Sequence, residues 1–309
     1  AIHDHYSEAK MLLLMSRCQD KGDGWDIETQ VLFNRAMAQL GMAALRANKL
    51  SDCLRCLADL CSPRNQKLLA QRTSRYWNND KNATKEEQAA RELKEKQRLL
   101  PFHRHINTDL LEACHNIAAM LIEVPCLVAE TNHTNLPNSS ESSSKTFRRA
   151  LSVYERNVFE APPENNRERV MLAAQHMSRG DWRKCRDLVF SLKCWKLWQH
   201  YDVEAIHSVL LRRMKEVALR TYLLNFHTHY SSIGVGALCT MFELPTDAVH
   251  GVLNRMIIAK EFVGSWQNVL DGTDKDKQAS PMIDCCFTHS PALYAFLPAV
   301  LCSPRDGFT

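Results

Sequence analysis

The 309-residue sequence lacks a strong charge of either sign, and it has no long hydrophobic run. Lysine and arginine total 39 against 35 aspartate and glutamate, which leaves a formal net charge of +4. This balance excludes a dedicated nucleic-acid binder with a basic surface throughout, so any contact with a polyanion must be local. No segment approaches the roughly 18 consecutive apolar residues of a membrane-spanning helix, and no signal peptide is visible. We expect a soluble cytoplasmic protein without a membrane partner.

Recognisable catalytic motifs are also missing. Gly234-Val-Gly236 lacks the third glycine and the preceding strand of a dinucleotide-binding fingerprint. The sequence contains no phosphate-binding loop, no nucleophile elbow and no His-Glu-x-x-His helix. We therefore expect no enzyme, no cofactor and no small-molecule substrate, and we assign no catalytic or cofactor-binding residue.

Cysteine is well represented in the sequence, with twelve copies. In a chain of this size the scattered cysteines are typical of free thiols at core positions in a reducing compartment. Cys53-Leu-Arg-Cys56 has a spacing that zinc sites use, with Cys61 nearby. A second pair at matching spacing is missing, and only the distant His103 and His105 could complete four ligands. We expect no metal site.

Helical periodicity dominates the first two thirds of the sequence. One apolar stripe ends at Asn48-Lys49 and a second begins at Leu50, which predicts an antiparallel helix hairpin. A similar hairpin turns at Gly180-Asp181, and the two align without gaps. This internal echo favours a degenerate, solenoid-like helical repeat, although two amphipathic hairpins can also align this well by chance.

Other segments are assigned by their polarity. Residues 84–98 are charged nearly all round, which predicts a solvated helix or a projecting arm. A broad apolar face predicts a buried helix that starts after Asn107-Thr108 and stops before Pro125. Residues 131–145 are rich in serine and asparagine, as flexible loops are.

The pattern changes towards the end of the sequence. A long helix leads from Val203 towards Leu219, and a brief helix then ends at Leu244-Pro245. Thr246 is the expected N-cap of the next helix, and residues 262–267 and 282–287 are expected strands around a polar loop. Helix, turn, helix and two-stranded ribbon predict a winged helix.

The predicted fold class is therefore mainly α, with a helical-repeat array of antiparallel hairpins followed by a C-terminal winged helix. Because apolar patterning already begins close to Ala1, we expect the chain to be a fragment of a longer protein. The predicted domains are helical repeats at 1–130 with a charged arm near 81–98, a flexible loop at 131–145, a second helical-repeat part and linking helix at 146–218, the winged helix at 219–290 and a C-terminal segment at 291–309.

Two sets of side chains are candidates for contacts with partners. The ribbon carries Phe262, Val263 and Trp266, which could extend a sheet edge to edge with another protein, although Trp266 could equally cover the core of the winged helix. The second helix of the winged helix is nearly neutral, which argues against reading of a DNA groove. Candidates for contact with RNA or the ribosome, or else solvated helix positions, are the basic residues Arg212, Arg213, Lys215, Arg255 and Lys260.

A helical array that leads into a winged helix resembles the PCI domains of the proteasome lid, the signalosome and translation initiation factor 3. Several strings are similar to the c-subunit family of translation initiation factor 3, and together they spread from about Leu12 to Phe262. These strings begin at Gln30 (QVLFNRAMAQLG), Pro101 (PFHRHINTDLLE), Pro162 (PPENN), Gly180 (GDWRKC), Leu219 (LRTYL) and Met256 (MII).

The resemblance implies a cytoplasmic scaffold component that works in translation initiation. It also implies assembly with other initiation factor 3 subunits, especially the sister PCI subunit, which is the a-subunit of that factor. Docking on the small (40S) ribosomal subunit, with its protein and rRNA, is implied as well. Two alternatives remain open from the sequence. One is a PCI subunit of the proteasome lid or the signalosome, and the other is a nucleic-acid-binding winged-helix protein.

Overall fold

The structure is a computed structural model that describes residues 1–18, 26–61, 69, 71, 84–97, 99–131, 144–156, 162–198, 201–230, 232–259, 261, 264–269 and 280–284. The helices are α1 (Tyr6–Met15), α2 (Ile27–Arg46), α3 (Leu50–Ala58), α4 (Lys85–Gln97), α5 (Thr108–Thr131), α6 (Lys145–Glu155), α7 (Asn166–Ser178), α8 (Trp182–Phe190), α9 (Val203–Phe226), α10 (Val235–Phe242) and α11 (Thr246–Ile258). The strands are β1 (Ser232–Gly234), β2 (Ser265–Val269) and β3 (Ser280–Asp284). The fold is mainly helical, as predicted.

The chain divides into two compact units. The first comprises the described residues within Ala1–Ala119 and Lys193–Tyr201, and the second those within Met120–Leu192 and Asp202–Thr309. Each unit combines segments that are distant in sequence. The domain boundaries that the sequence predicts stay predictions.

In the first unit, α2 and α3 form the expected hairpin. Asn48 makes the turn with a left-handed φ of 57°, a conformation that asparagine adopts more easily than most residues. Gly41 lies where the two helices approach each other, and a Cβ atom at this position would be 2.6 Å from Leu57 Cδ2. The missing side chain therefore permits the close packing of this hairpin.

The charged segment forms α4, so its helical prediction is confirmed. Its start is fixed by a capping box: the Glu87 backbone N–H donates to Thr84 Oγ1 at 3.4 Å, and the Thr84 N–H donates to Glu87 Oε2 at 3.3 Å. Most of the expected Ser/Asn loop, residues 132–143, lies outside the described part of the chain.

The buried helix α5 begins at Thr108, one residue before the predicted start, and it ends later than predicted. Asn107 Oδ1 accepts hydrogen bonds from the Asp109 and Leu110 N–H groups, at 2.9 and 3.2 Å, and thereby caps the helix. The predicted end before Pro125 is wrong, because α5 continues through this proline to Thr131. An internal proline costs about 3 kcal/mol, and burial of the apolar residues on both sides of it offsets that cost.

By length and composition alone, the stretch Phe102–Thr131 would also be apolar enough to cross a membrane. However, 78% of its apolar window is buried inside the protein. This burial is typical of a helix in a protein core.

In the second unit, α7 and α8 form the second expected hairpin. Gly180 takes a φ of 79° at the turn, which favours glycine strongly. Asp181 then caps α8 by accepting a hydrogen bond from the Lys184 N–H at 3.3 Å. The helix α9 packs against this hairpin, where Thr221 Oγ1 donates to the Met177 carbonyl at 3.1 Å.

The long helix α9 does not end at Leu219, where the sequence predicts that shorter elements begin, but continues to Phe226. Residues on both sides of this point are buried, so packing supports one uninterrupted helix. The break instead follows at Tyr230, whose backbone is extended.

Thr246 is the first residue of α11 and not its N-cap, so that prediction is wrong. The Pro245 carbonyl accepts from the Ala248 and Val249 N–H groups at 3.0 and 3.2 Å, which makes Pro245 the capping residue. Glu243, with a left-handed φ of 50°, ends α10 immediately before. The Thr246 side chain therefore comes one position too late to cap.

The strands form an antiparallel three-stranded sheet in the order β1-β3-β2. Ile233 on β1 and Trp266 on β2 both align with Ile283 on the central strand. Both strands expected from the sequence are present with different bounds. The sequence predicts strands at 262–267 and 282–287, and the structure has β2 at Ser265–Val269 and β3 at Ser280–Asp284. The short β1 was not expected, since three residues are too few for a periodic pattern.

Candidate functional site

A cluster around Trp182 joins α8, α9 and α10 in the second unit. The indole is 3% exposed, and its Nε1–H donates to the Met241 carbonyl near the end of α10 at 3.2 Å. The Lys215 ammonium, on α9, lies 4.4 Å from a ring centroid of the same side chain. Trp182 thus holds three helices by apolar burial, one hydrogen bond and one cation–π contact.

Glu243 completes this cluster at the C-terminal end of α10. Its carboxylate accepts hydrogen bonds from Lys215 Nζ and Arg183 Nη2, both at 3.0 Å. The hydrogen bond from Lys215 is the largest cause that lowers the pKa of Glu243 below its usual value. The basic residues are therefore partly neutralised within the fold, and Lys215 is held in place by its internal contacts.

A second electrostatic contact joins α9 to Glu261, which follows the end of α11 at Ile258. Arg220 donates from Nε to Glu261 Oε2 at 2.8 Å, and its Nη2 donates to the other carboxylate oxygen. Glu261 is 6% exposed, and this bidentate geometry is the arrangement that compensates a buried carboxylate. The sequence offered no signal for this pair, since Arg220 and Glu261 are far apart along the chain.

The described basic candidates predicted for RNA lie on α9 and α11. Arg212 and Arg213 both contact Glu216 on α9, with nitrogen–oxygen distances of 3.4 and 2.9 Å. On α11, Arg255 Nε donates to the Gly251 carbonyl at 3.0 Å. Lys260 lies outside the described residues. Their contact with RNA or the ribosome stays a prediction.

Trp266 on β2 packs partly against α11. Its ring stacks on His250 with centroids 4.5 Å apart, and its Nε1–H donates to Asn254 Oδ1 at 3.1 Å. The residue nevertheless remains 37% exposed. It therefore covers one face of α11 and still presents a surface to solvent. Phe262 and Val263 lie outside the described residues.

The thiols near the zinc-like spacing are held in their neutral form. Burial raises the pKa of Cys56 to about 11 and that of Cys61 to about 12, and it raises the pKa of Cys53 further. Thiolates and not thiols are the usual metal ligands and nucleophiles. Over the part of the chain that the structure describes, no three His, Cys, Asp or Glu side chains are grouped to hold a metal ion.

Comparison with known proteins identifies the chain's relatives. The family described as "Eukaryotic translation initiation factor 3 subunit 8 N-terminus" matches residues 1–134. The C-subunits of eukaryotic translation initiation factor 3 from Yarrowia lipolytica and Drosophila mojavensis are 37% identical, over 266 and 268 residues. Each alignment covers 86% of this chain. The chain belongs to the C-subunit family of eukaryotic translation initiation factor 3.

This membership confirms the family resemblance inferred from the ordered sequence strings. The C-subunit of Neurospora crassa is also 37% identical, over 275 residues and 88% of this chain. The chain spans about 30% of the length of the Yarrowia and Neurospora relatives and 28% of the Drosophila one. These relatives are thus matched over most of this chain but only over a part of their own length.

Proposed function

We propose that this chain is part of a non-catalytic scaffold subunit of translation initiation factor 3 and acts in translation initiation in the cytoplasm. The observation that carries the proposal is the 37% identity to a C-subunit protein over 86% of the chain. Membership in this family favours a place in initiation factor 3 over one in the proteasome lid or the signalosome, whose PCI subunits share the predicted architecture. No described contact favours the alternative of a nucleic-acid-binding winged helix.

Residues from β1 to β3 form the winged helix of a PCI domain in this proposal. The order strand, helix, helix and two further strands supports it, as does the packing of α10 against α11 and against β3. The Arg220–Glu261 pair and Trp182 attach this part to the preceding helices. In this arrangement the winged helix packs against α9.

The sheet offers the contact with another subunit. In the order β1-β3-β2, strand β2 is an edge strand, and no described strand pairs with its outer side. Edge strands present unpaired backbone N–H and C=O groups that a partner strand can satisfy. We assign this edge, with Trp266 as its anchor, to the sister PCI subunit. The assembled complex then helps the factor to bind the small ribosomal subunit.

The test compares two proteins for their binding of the sister PCI subunit. One is the natural protein that contains this chain, and the other is the same protein with Trp266→Ala. Loss of an exposed aromatic anchor is expected to weaken binding about tenfold or more, because such residues supply most of the energy of an interface. Trp266→Phe, which retains an apolar ring, is expected to keep most of the affinity. Isothermal titration calorimetry measures both constants.

Val153→Ala is the matched control. Val153 is 56% exposed on α6, which is not an element of the sheet, and its truncation is expected to leave the affinity unchanged. Thermal unfolding of each variant checks that the fold is retained. If the natural protein and the Trp266→Ala variant bound the sister PCI subunit with equal affinity, this edge would not be the binding surface.

A further inference from the structure

The residues before α1 repeat the backbone geometry of the two hairpin turns. In each of those turns a residue with a left-handed φ lies two positions before the second helix. Asn48, with a φ of 57°, precedes α3 in this way, and Gly180, with 79°, precedes α8. Asp4 has a φ of 60° and lies two positions before Tyr6, where α1 begins. Because such a residue commonly follows the end of a helix, this geometry indicates a turn of the same kind directly before α1.

The hydrogen bonds of these turns match as well. In each, the N–H of the left-handed residue donates to the carbonyl three positions earlier. The donor and acceptor pairs are Asn48 and Leu45 at 3.0 Å, Gly180 and Met177 at 2.9 Å, and Asp4 and Ala1 at 3.2 Å. Leu45 and Met177 belong to the last turn of α2 and of α7. Ala1 therefore has the position that the last turn of a helix has in the two complete hairpins.

The turn before α1 is held in place by the first unit. Arg46 Nε donates to Asp4 Oδ1 at 2.6 Å, and its Nη2 donates to the Ala1 carbonyl at 3.2 Å. The Tyr201 hydroxyl donates to the Ile2 carbonyl at 3.0 Å. Cationic and donor side chains near the last carbonyls are typical of a helix C-terminus. The folded chain thus fixes this turn, whereas terminal residues without such contacts usually fray.

The helix that follows this turn exposes a cluster of apolar side chains. On α1 the exposed members are Met11, Leu12, Leu14 and Met15. Single exposed apolar residues are ordinary, but a cluster on one short helix is typical of a surface that packs against another element.

The equivalent positions of the complete hairpins identify the side chain that faces the preceding helix. Counted from the turn, Leu12 corresponds to Cys56 on α3 and to Leu188 on α8, and both of these are half-buried. Cys56 lies against α2, since a Cβ atom at Gly41 would be 3.3 Å from Cys56 Cβ. Leu12, by contrast, is 69% exposed. Its position in a hairpin would be against the helix before the turn.

The neighbouring Met11 corresponds to positions that face solvent. Its equivalents are Arg55 on α3 and Asp187 on α8, and both are charged and exposed. Met11 is 59% exposed, which is similar to the exposure of Leu12. The hairpin geometry therefore distinguishes two adjacent side chains that exposure alone does not.

We propose that Ala1–Asp4 is the turn of a further helix hairpin, and that the helix before this turn in the natural protein packs on α1 and covers Leu12. The natural protein has chain for this helix, because the residues aligned here make up 28–30% of the length of the relatives. Helical repeats bury their apolar faces by packing on neighbouring helices, which is the role assigned to this helix. The inference does not depend on the sheet edge that is assigned to the sister PCI subunit.

The same equivalence gives a partner to the backbone of His5. In the complete hairpins the residue after the left-handed one donates five positions back, from Lys49 to the Ala44 carbonyl at 2.8 Å and from Asp181 to the His176 carbonyl at 3.0 Å. This bond is the 6→1 bond that closes a helix C-terminus. The His5 N–H donates in the same way to the residue that precedes Ala1 in the natural protein.

Hydroxyl-radical footprinting with mass spectrometry at single-residue resolution tests the proposal on two proteins. One is the natural protein, and the other is the 309-residue chain. In the 309-residue chain, Leu12 is expected to react faster than the half-buried Leu188. In the natural protein, Leu12 is expected to react no faster than Leu188, whereas Met11 keeps the same rate in both proteins.

Leu12→Glu and Met11→Glu form a matched pair for hydrogen exchange. In the natural protein, Leu12→Glu is expected to speed exchange of the α1 amides about tenfold or more, because an unpaired charge opposes burial under the preceding helix. Met11→Glu is expected to leave these rates unchanged. In the 309-residue chain both variants are expected to exchange as the unsubstituted chain does.

Three results would overturn the proposal. The first is equal reaction of Leu12 in the two proteins, which would mean that no preceding helix covers it. The second is protection of Leu12 in the 309-residue chain that rises with protein concentration, which would assign this face to a second copy. The third is protection in the natural protein only after other initiation factor 3 subunits are added, which would assign the face to one of them.

Discussion

Gly180→Ala is expected to lower the free energy of unfolding by about 2–5 kcal/mol. Gly180 has a φ of 79°, and a Cβ atom there would lie 2.9 Å from Tyr222 Cβ on α9. The left-handed backbone costs a non-glycine residue about 1–2 kcal/mol, and forced overlap in a packed site adds about 1–3 kcal/mol. Chemical denaturation followed by tryptophan fluorescence measures the change.

Gly251→Ala is the matched control in the same unit. Gly251 lies inside α11, and a Cβ atom there would have no neighbour within 4 Å. Alanine is the better helix former by roughly 1 kcal/mol, so this variant is expected to be at least as stable as the unsubstituted chain. Similar destabilisation by both substitutions would mean that the α7–α8 turn does not require glycine.

Trp182→Ala is expected to destabilise the chain by about 3–5 kcal/mol, the usual cost of removing a large buried aromatic side chain. The substitution leaves a cavity where α8, α9 and α10 meet, and it removes the partner of the Met241 carbonyl and of Lys215. The same denaturation experiment measures the loss.

Trp182→Phe separates the packing of the indole from its hydrogen bond. The phenyl ring keeps much of the apolar contact but cannot donate to Met241, so a smaller loss of about 1–2 kcal/mol is expected. If both substitutions were equally mild, Trp182 would not be the anchor of these helices.

Local signals in the sequence predicted the helices well. The hairpin of α2 and α3, the turn at Gly180 and the capping of α5 by Asn107 depend on neighbours within a few residues, which a sequence displays directly. The end of α5 was missed because a proline normally stops a helix, whereas here the burial of both flanks outweighs its cost. Tertiary packing decided that boundary.

Contacts between distant residues were beyond local patterns. Nothing in the spacing of Arg220 and Glu261, or of Lys215 and Glu243, indicates that they pair. These contacts reveal that Lys215, a candidate for RNA from sequence, is held by Glu243 and Trp182. The exposure of Phe102 is likewise visible only in the folded chain.

We propose that this chain works as an assembly part of translation initiation factor 3. Affinity purification of the natural protein that contains it, followed by mass spectrometry, tests this claim most directly. We expect recovery of other initiation factor 3 subunits, including the sister PCI subunit, together with small ribosomal subunit proteins. Recovery of proteasome lid or signalosome subunits, without initiation or ribosomal components, would contradict it.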